Sequence, residues 1–434
     1  MKVFLLTLGC AKNQVDSERL AGMLEAAGIE LVEDVKQAEI GLVNTCGFIV
    51  SAVEESLYAV FDLEHLKKSG NLEKIGVVGC LVNRYGEPLK REFPSVDFWA
   101  GADEAEKVVQ SLGGKPQDAG NALLPGESSW SRYLKIAEGC NNRCSYCTIP
   151  SIRGRLKSRS EGDILGDALR LADSGAREIC LVGQDLTAWG MDVYGKPALT
   201  ELLPRLEEAL SGRDIWIRLL YLHPVRVTKR LVETIAKSPV ILNYLDIPVQ
   251  HVDGRILEAM NRGQVSEDEI RKPFEWARSA DEDFALRTTI ITGFPGETEK
   301  QFLKLVDFLE DLELDRVGVF PYSEEEGTVA ALLSPSVPEE VRRKRAEEIL
   351  EVQEEISWKR QRRFVGRCLR VLVEGVDGGP EGSAWGRSFR DAPEVDGIVE
   401  IKNGYRCVPG TFVGVDITES YEHDLEGETA CDES

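Results

Sequence analysis

Cys140, Cys144 and Cys147 stand in the run Ala137-Glu-Gly-Cys-Asn-Asn-Arg-Cys-Ser-Tyr-Cys-Thr-Ile-Pro150. Three thiolates on one short loop can hold three irons of a four-iron cluster, since such clusters are ligated by sulfur and their closed sites use four cysteines. One iron is then left without a protein ligand. A catalytic metal keeps a position free in this way, whereas a structural one is closed. A disulfide, a zinc site and buried thiols are the plainer readings. No signal peptide is read in Met1-Lys-Val-Phe-Leu-Leu6, so the chain is expected in the reducing cytoplasm, where disulfides are rare. Zinc wants a fourth Cys or His, and none of the 4 histidines lies near this loop.

The elements that would position such chemistry fall into three units. Residues 1–118 read as an open α/β sheet, with buried-strand runs at Val3-Phe-Leu-Leu-Thr-Leu8, Ile40-Gly-Leu-Val-Asn44 and Ile75-Gly-Val-Val-Gly79. Cys10, Cys46 and Cys80 follow these three runs. The carboxyl ends of strands form the ligand crevice of such a sheet. A lone cysteine there is usually a small buried hydrophobe, but three at equivalent positions leave a second three-cysteine site equally open.

A Gly/Pro/Ser-rich stretch from Gly113 to Ser129 reads as a linker. In the unit expected over 126–364, six apolar runs alternate with helix-length segments: Tyr133–Ala137, Glu178–Val182, Ile215–Leu220, Tyr244–Val249, Leu286–Ile291 and Arg316–Phe320. They indicate a (β/α)6 partial barrel. Polar or glycine-rich segments follow each run, including Gly183-Gln-Asp185, Tyr221-Leu-His-Pro224, Gln250-His251 and Gly293-Phe-Pro-Gly-Glu297. Barrel chemistry gathers at strand carboxyl ends. From Pro338 to Arg363 a charged helix is expected, with Pro338 in its first turn and Ile349, Leu350, Val352 and Ile356 on a buried stripe. Residues 365–434 switch to short β runs separated by Gly and Pro, the pattern of a small antiparallel β-barrel.

The formal net charge is −23, and from Gly366 onward 6 Lys/Arg face 15 Asp/Glu. A nucleic-acid partner calls for a basic footprint, so nucleic acid is not expected as the main substrate. An RNA-binding module built on the terminal barrel is disfavoured for the same reason. No apolar run is long enough to span a membrane. A two-cluster electron carrier would favour closed four-cysteine sites, and each triplet here is one short.

The three-part layout, the two cysteine triplets and the terminal barrel together resemble the methylthiotransferases, radical S-adenosylmethionine (SAM) enzymes carrying two [4Fe-4S] clusters and a TRAM-like terminal barrel. Tyr244-Leu-Asp-Ile-Pro-Val-Gln-His251, Gly318-Val-Phe-Pro-Tyr-Ser-Glu-Glu-Glu-Gly-Thr328 and the segment Gly386–Gly397 resemble the branch that modifies an aspartate of ribosomal protein S twelve, free or on the ribosome. The branch acting on transfer-RNA adenosine typically has Gln-Ser-Gly-Ser where this chain has Gln250-His-Val-Asp253, and a more basic barrel. The resemblance implies a SAM-cleaving cluster on Cys140, Cys144 and Cys147, and an auxiliary cluster on Cys10, Cys46 and Cys80. It implies methylthio transfer to the aspartate β-carbon, with SAM as cofactor and an electron donor such as flavodoxin or ferredoxin. The acidic barrel is then expected to steer a basic ribosomal protein, with Glu394 and Asp396 as candidate contacts.

Five further residues are expected at the cofactor. Gly293 would let backbone approach SAM, or only make a tight turn. Tyr146 would pack on the adenine, or only on the loop. Gln184 and Asp185 are candidates for ribose contacts, or simply begin a polar loop. Gln250 and His251 would face cofactor or substrate, unless the histidine is structural. The basic run Arg153–Arg159 would receive a carboxylate or remain a solvated face. Cys180, Cys368, Cys407 and Cys431 have no partner at ligand spacing, and Cys180 reads as core.

Overall fold

A computed structural model describes residues 1–117, 120–263, 265–377 and 382–430. Asp118, at the end of the expected first unit, and Cys431 lie outside the described residues.

The first unit is a five-stranded parallel sheet, β1 (Lys2–Thr7), β2 (Glu30–Val32), β3 (Ile40–Thr45), β4 (Lys74–Gly79) and β5 (Phe98–Ala100), in the order β2-β1-β3-β4-β5. All six residues of β3 are buried, as a central strand covered on both faces requires. The flanking helices are α1 (Ala11–Ala26), α2 (Val50–Lys68), α3 (Cys80–Glu92) and α4 (Ala105–Ser111). The register pairs Thr7 with Asn44 and Thr45 with Gly79, so β1, β3 and β4 end side by side. Chain direction across the sheet reverses between β1 and β3. Such sheets bind ligands at that switch point.

The second unit begins with β6 (Ser131–Lys135). A short ribbon of β7 (Ala137–Glu138) and β8 (Lys157–Ser158) then closes the cysteine loop. The strands β9 (Glu178–Val182), β10 (Trp216–Leu219), β11 (Tyr244–Asp246), β12 (Ala285–Thr292) and β13 (Arg316–Pro321) follow. Two parallel three-stranded sheets, β10-β9-β6 and β11-β12-β13, are bridged where Ile217 pairs with Ile241. The strands thus run in chain order around an open barrel. Helices cover the outside over a core that includes Ile179, Leu181, Ile217, Leu245, Leu286 and Phe302.

The helix Glu339–Arg362 packs beside β13. Its buried side is polar as well as apolar: Arg345, Ile349, Gln353, Ile356 and Arg360 point inward, and Gln353 Nε2 donates to the Leu314 carbonyl at 2.9 Å. Two expectations are corrected. Leu350 is exposed, because the buried stripe advances by three and four residues from Arg345 and skips it. Pro338 is the cap residue, one position before the first turn.

The terminal strands β14 (Cys368–Val376), β15 (Ala384–Ser388), β16 (Val399–Lys402), β17 (Phe412–Ser420) and β18 (Leu425–Thr429) close a barrel in the order β14-β15-β16-β18-β17. One pair, β16 with β18, is parallel, and the others are antiparallel.

The end of β15 and the segment that follows it, residues 386–397, pack against the base of the large barrel. Arg387 binds Glu178 at 2.6 Å, and Glu178 also holds Arg218 at 2.7 Å. Arg390 reaches Asp315, and Arg316 reaches Asp391. Asp396 accepts from the Tyr244 hydroxyl at 2.7 Å, and its side chain is only 1% exposed. Asp396 is therefore no docking contact. Its negative charge serves the internal joint between the two barrels.

Candidate active site

The loop carrying Cys140, Cys144 and Cys147 is held by the protein on every side. Cys140 N donates to the Gly154 carbonyl at 3.1 Å, and Ser145 N to the Met260 carbonyl at 2.8 Å. Asn142 Nδ2 donates to Asp185 at 2.8 Å, while Arg226 binds both Asn142 and Asp185. A cavity of about 470 Å³ opens here, lined by Cys140, Asn141, Asn142, Arg143, Pro150 and Arg155. Burial, reinforced by Cys144 and Cys140, pushes the Cys147 thiol up to about 12. The Asn142 N–H donates to Cys140 Sγ at 3.4 Å, and Arg262 approaches Cys144 Sγ at 3.8 Å.

Cys10, Cys46 and Cys80 converge at the switch point of the first sheet. Cys10 caps α1, Cys46 follows β3, and Cys80 opens α3. Gly9 adopts φ +95°, and a Cβ added there would lie 2.8 Å from Cys46 Cβ, so no side chain fits between these turns. Asn13 ties the strand ends together, donating to the carbonyls of Leu8 at 2.7 Å and Thr45 at 3.1 Å. Burial pushes the Cys80 thiol up to about 12 against the opposing charge of Arg153. At Cys10 burial also opposes ionisation, but Lys12, the Asn13 N–H and Arg153 outweigh it and lower the pKa.

Arg153 joins the two loops. Its guanidinium donates to Cys80 Sγ at 3.1 Å, to Asp16 at 2.6 Å and to Glu138 at 3.1 Å, and it also reaches Asn13. Around it, Asn83 Nδ2 donates to the Ile152 carbonyl, Thr148 to the Phe48 carbonyl, and Arg84 pairs with Glu325. Both cysteine triplets therefore lie along one interface between the first sheet and the barrel's carboxyl end.

The donor set suits a cluster. Both triplets offer sulfur alone, on separate turns. Among the described residues no three His, Cys, Asp or Glu side chains are already drawn together around a single metal ion. Buried polar atoms without partners, among them Gln184 Oε1, His223 Nδ1, Gln250 Oε1 and His251 Nε2, stand just beyond β9, β10 and β11. Buried polar groups want partners, and a polar cofactor across these strand ends would supply them. Burial first, then Arg262 and Arg226, lowers the His223 pKa to about 2, which keeps the ring neutral.

The remaining expected residues divide. Asp185 anchors the cysteine loop through Asn142, and Gln184 Nε2 binds Glu138 at 2.7 Å. Tyr146 meets the Phe294 ring edge-on at 6.5 Å, and its hydroxyl accepts from Arg262 at 3.2 Å. Gln250 holds φ +70° while its N–H donates to the Thr289 carbonyl. Gly293 holds φ +70°, and an added Cβ would come 2.3 Å from Arg342 Cγ. Its N–H donates to Glu297, so the close approach that demands glycine there is to a helix of the protein itself. His251 is fully buried, with Nδ1 accepting from the N–H groups of Val252 and Asp253 at 2.9 Å and Nε2 3.5 Å from Glu297. In the basic run Arg153 is internal, whereas Arg155 and Lys157 are exposed. Cys180 is core, Cys368 is exposed and Cys407 half-buried.

Asn13, Asn142, Arg226 and Arg262 were not expected at this site. Asn13 and Asn142 carry a weak signal, as polar residues two or three positions after a cysteine. The arginines carry none.

Three family models match the chain: Uncharacterized protein family UPF0004 over residues 2–101, the Radical SAM superfamily over 134–309 and the TRAM domain over 365–430. The ribosomal protein uS12 methylthiotransferase RimO of Pelotomaculum thermopropionicum is 42% identical across 99% of both chains. The protein of that name from an Anaeromyxobacter species is 44% identical, over 98% of this chain and 92% of its own. Among solved structures, the radical SAM methyltransferase TsrM from Kitasatospora setae, with cobalamin and a [4Fe-4S] cluster bound, aligns with a TM-score of 0.57 at 13% identity. That alignment covers 76% of this chain and 73% of that one. The cobalamin-dependent radical enzyme OxsB aligns with a TM-score of 0.52, also at 13% identity, over 82% of this chain and 56% of its own. These two structures share the fold.

Proposed function

The chain belongs to the ribosomal protein uS12 methylthiotransferase family, and on that premise we propose that it adds a methylthio group to the β-carbon of an aspartate in ribosomal protein uS12. The observation that carries the reading is the shared interface of the two cysteine triplets, joined by Arg153. A cluster on Cys140, Cys144 and Cys147 would supply the electron that cleaves bound SAM, and with it the radical chemistry an unactivated C–H bond demands. A second cluster, on Cys10, Cys46 and Cys80, would present the sulfur.

The chain's own residues orient and enclose. Asp185 and Arg226 fix the loop through Asn142, so the three thiols keep their spacing. Gln184, His223 and Gln250 offer polar atoms to the cofactor at the strand ends. The first sheet covers the barrel mouth through the Asn83, Arg84 and Thr148 contacts, which shields the reaction from water.

The units acting together are residues 1–118, 126–364 and 365–434. The acidic terminal barrel would steer its basic partner through exposed Glu394, with Glu400, Asp416 and Glu428 in place of Asp396. An electron donor of the flavodoxin or ferredoxin class would complete the cycle, in the cytoplasm. Among the described residues no helix is long and apolar enough to cross a membrane.

Mass spectrometry after anaerobic incubation with reductant, sulfide and SAM tests the reading, with uS12 and hypomodified transfer RNA side by side. A methylthio adduct on an aspartate of uS12 alone is expected. An adduct on transfer RNA alone would overturn the substrate assignment.

A further inference from the structure

Among the described residues Lys12 has no carboxylate at ion-pair distance, and buried Asp246 acts on it only from farther away. The lysine sits in the first turn of α1, two positions after Cys10, and that turn contains no acidic residue. The amino end of a helix already carries partial positive charge, so a lysine there is disfavoured unless something negative joins it. The side chain is drawn into the interface, with the ammonium 3.7 Å above the Tyr221 ring. Its electrostatic neighbours are Tyr221, Cys10, Arg153 and, at longer range, Asp246.

No carboxylate of the described residues reaches ion-pair distance of Lys12. The neighbouring cation is saturated by contrast: Arg153 holds Asp16 and Glu138. Asp246, a buried carboxylate on this side of the barrel, accepts from the Tyr221 N–H at 3.0 Å and faces Arg287 as well as Lys12. Half-buried Lys12, with Asp246 beyond ion-pair distance, keeps room for a closer anion, and a charge drawn partly out of water gains from one.

Tyr221 supplies an independent sign. It follows β10 at the barrel's carboxyl end and holds φ +65°, a conformation bulky L residues rarely adopt. Such outliers persist where the surrounding structure enforces them, and they cluster at ligand sites. Here the outlier keeps the ring under Lys12. The ring takes one side of the ammonium and leaves N–H donors for another ligand.

We propose that Lys12, held over Tyr221, receives the carboxylate of the aspartate to be modified, so that the site selects an ionised aspartate over its amide. The inference rests on the uS12 reading above and deepens it. Lys12 stands between Cys10 and the ends of the barrel strands, where sulfur and target carbon have to meet. An asparagine in the same place would leave the ammonium unpaired, and sites built around one polar partner reject analogues lacking it far more strongly than pockets distinguish shapes. The methionine carboxylate of SAM offers the same chemistry, so the test separates the two.

The experiment measures anaerobic equilibrium binding of a uS12 target-loop peptide, carrying Asp or Asn at the target position, to the reconstituted full chain. Wild type, K12M and K12R are compared, with SAM affinity and iron content recorded for each. Wild type is expected to prefer the Asp peptide on the order of 10- to 100-fold, the range of a hydrogen bond to a charged group. K12M is expected to bring that ratio to about one, while K12R, which keeps the charge, retains most of it. The ratio is internal to each protein, so a partly folded variant still reads it. An undiminished ratio in K12M overturns the proposal. Weakened SAM binding with the ratio kept assigns Lys12 to the cofactor, and lost iron with the ratio kept assigns it to the cluster; either overturns it. A wild type that binds neither peptide overturns the uS12 reading together with the proposal, whereas equal binding of both overturns the proposal alone.

Discussion

Arg153 and Cys80 lie 73 positions apart in separate units, yet the arginine Nε–H donates to the cysteine sulfur at 3.1 Å. The same side chain, only 3% exposed, also pairs with Asp16 and Glu138. One guanidinium thus fixes the first sheet, the barrel mouth and a candidate ligand sulfur relative to one another.

Replacing Arg153 by alanine leaves Asp16 with only Lys135 and Cys80 with no charged donor. R153A is expected to lose about 3 kcal/mol of stability, the lower range for breaking a buried ion pair. R153K keeps the charge without the planar fork and recovers part of it. Urea unfolding, with iron determined per chain, checks both.

The two cysteine triplets are expected to be separable. C140A/C144A/C147A should abolish deoxyadenosine formation from SAM and keep iron on the first sheet. C10A/C46A/C80A should keep SAM cleavage and lose methylthio product. Iron content and product analysis decide, and deoxyadenosine from the first triple variant would sink the assignment.

Glu178 makes stability depend on acid. Burial alone would raise its pKa, but Arg387 and Arg218 outweigh it and hold it down at about 2, against an ordinary 4.5. Because the folded value is the lower one, the stabilisation is complete above about 4.5. It fades as pH falls from there through about 2. E178Q is expected to be less stable near neutrality by roughly 3 kcal/mol, with the gap to wild type closing in that window. Urea unfolding measured between pH 7 and acid shows whether it does.

Charge reversal on the terminal barrel separates steering from solubility. Changing exposed Glu400, Asp416 and Glu428 to lysine is expected to slow association with uS12 about tenfold at low salt and far less at high salt. Unchanged association rates across the salt range would leave the acidity as a solubility device. D396K is expected to unfold the joint instead, since Asp396 lies beneath Tyr244.

The cysteines were legible because their chemistry depends on residue type and spacing, and because strand ends converge by geometry. Cys10, Cys46 and Cys80 come together since β1, β3 and β4 are neighbours in register. Elements of three residues, such as β2 and β5, carry too little periodicity to be read. Asp396 misled because its local sequence is acidic, whereas its partners Tyr244 and Arg287 lie more than a hundred residues away. Lys12 and Tyr221 were silent for the same reason. Nothing within either segment foretells that an ammonium will rest on a ring 209 positions later.

The joint made by residues 386–397 also sets an order in time. Glu178 and Arg218 are complete in their pairing only when Arg387 has been made. All six candidate ligand cysteines leave the ribosome well before that residue does. During synthesis all six thiols are therefore present while the base of the barrel still lacks its last counter-charge, so the barrel's joint is completed only as the final strands arrive.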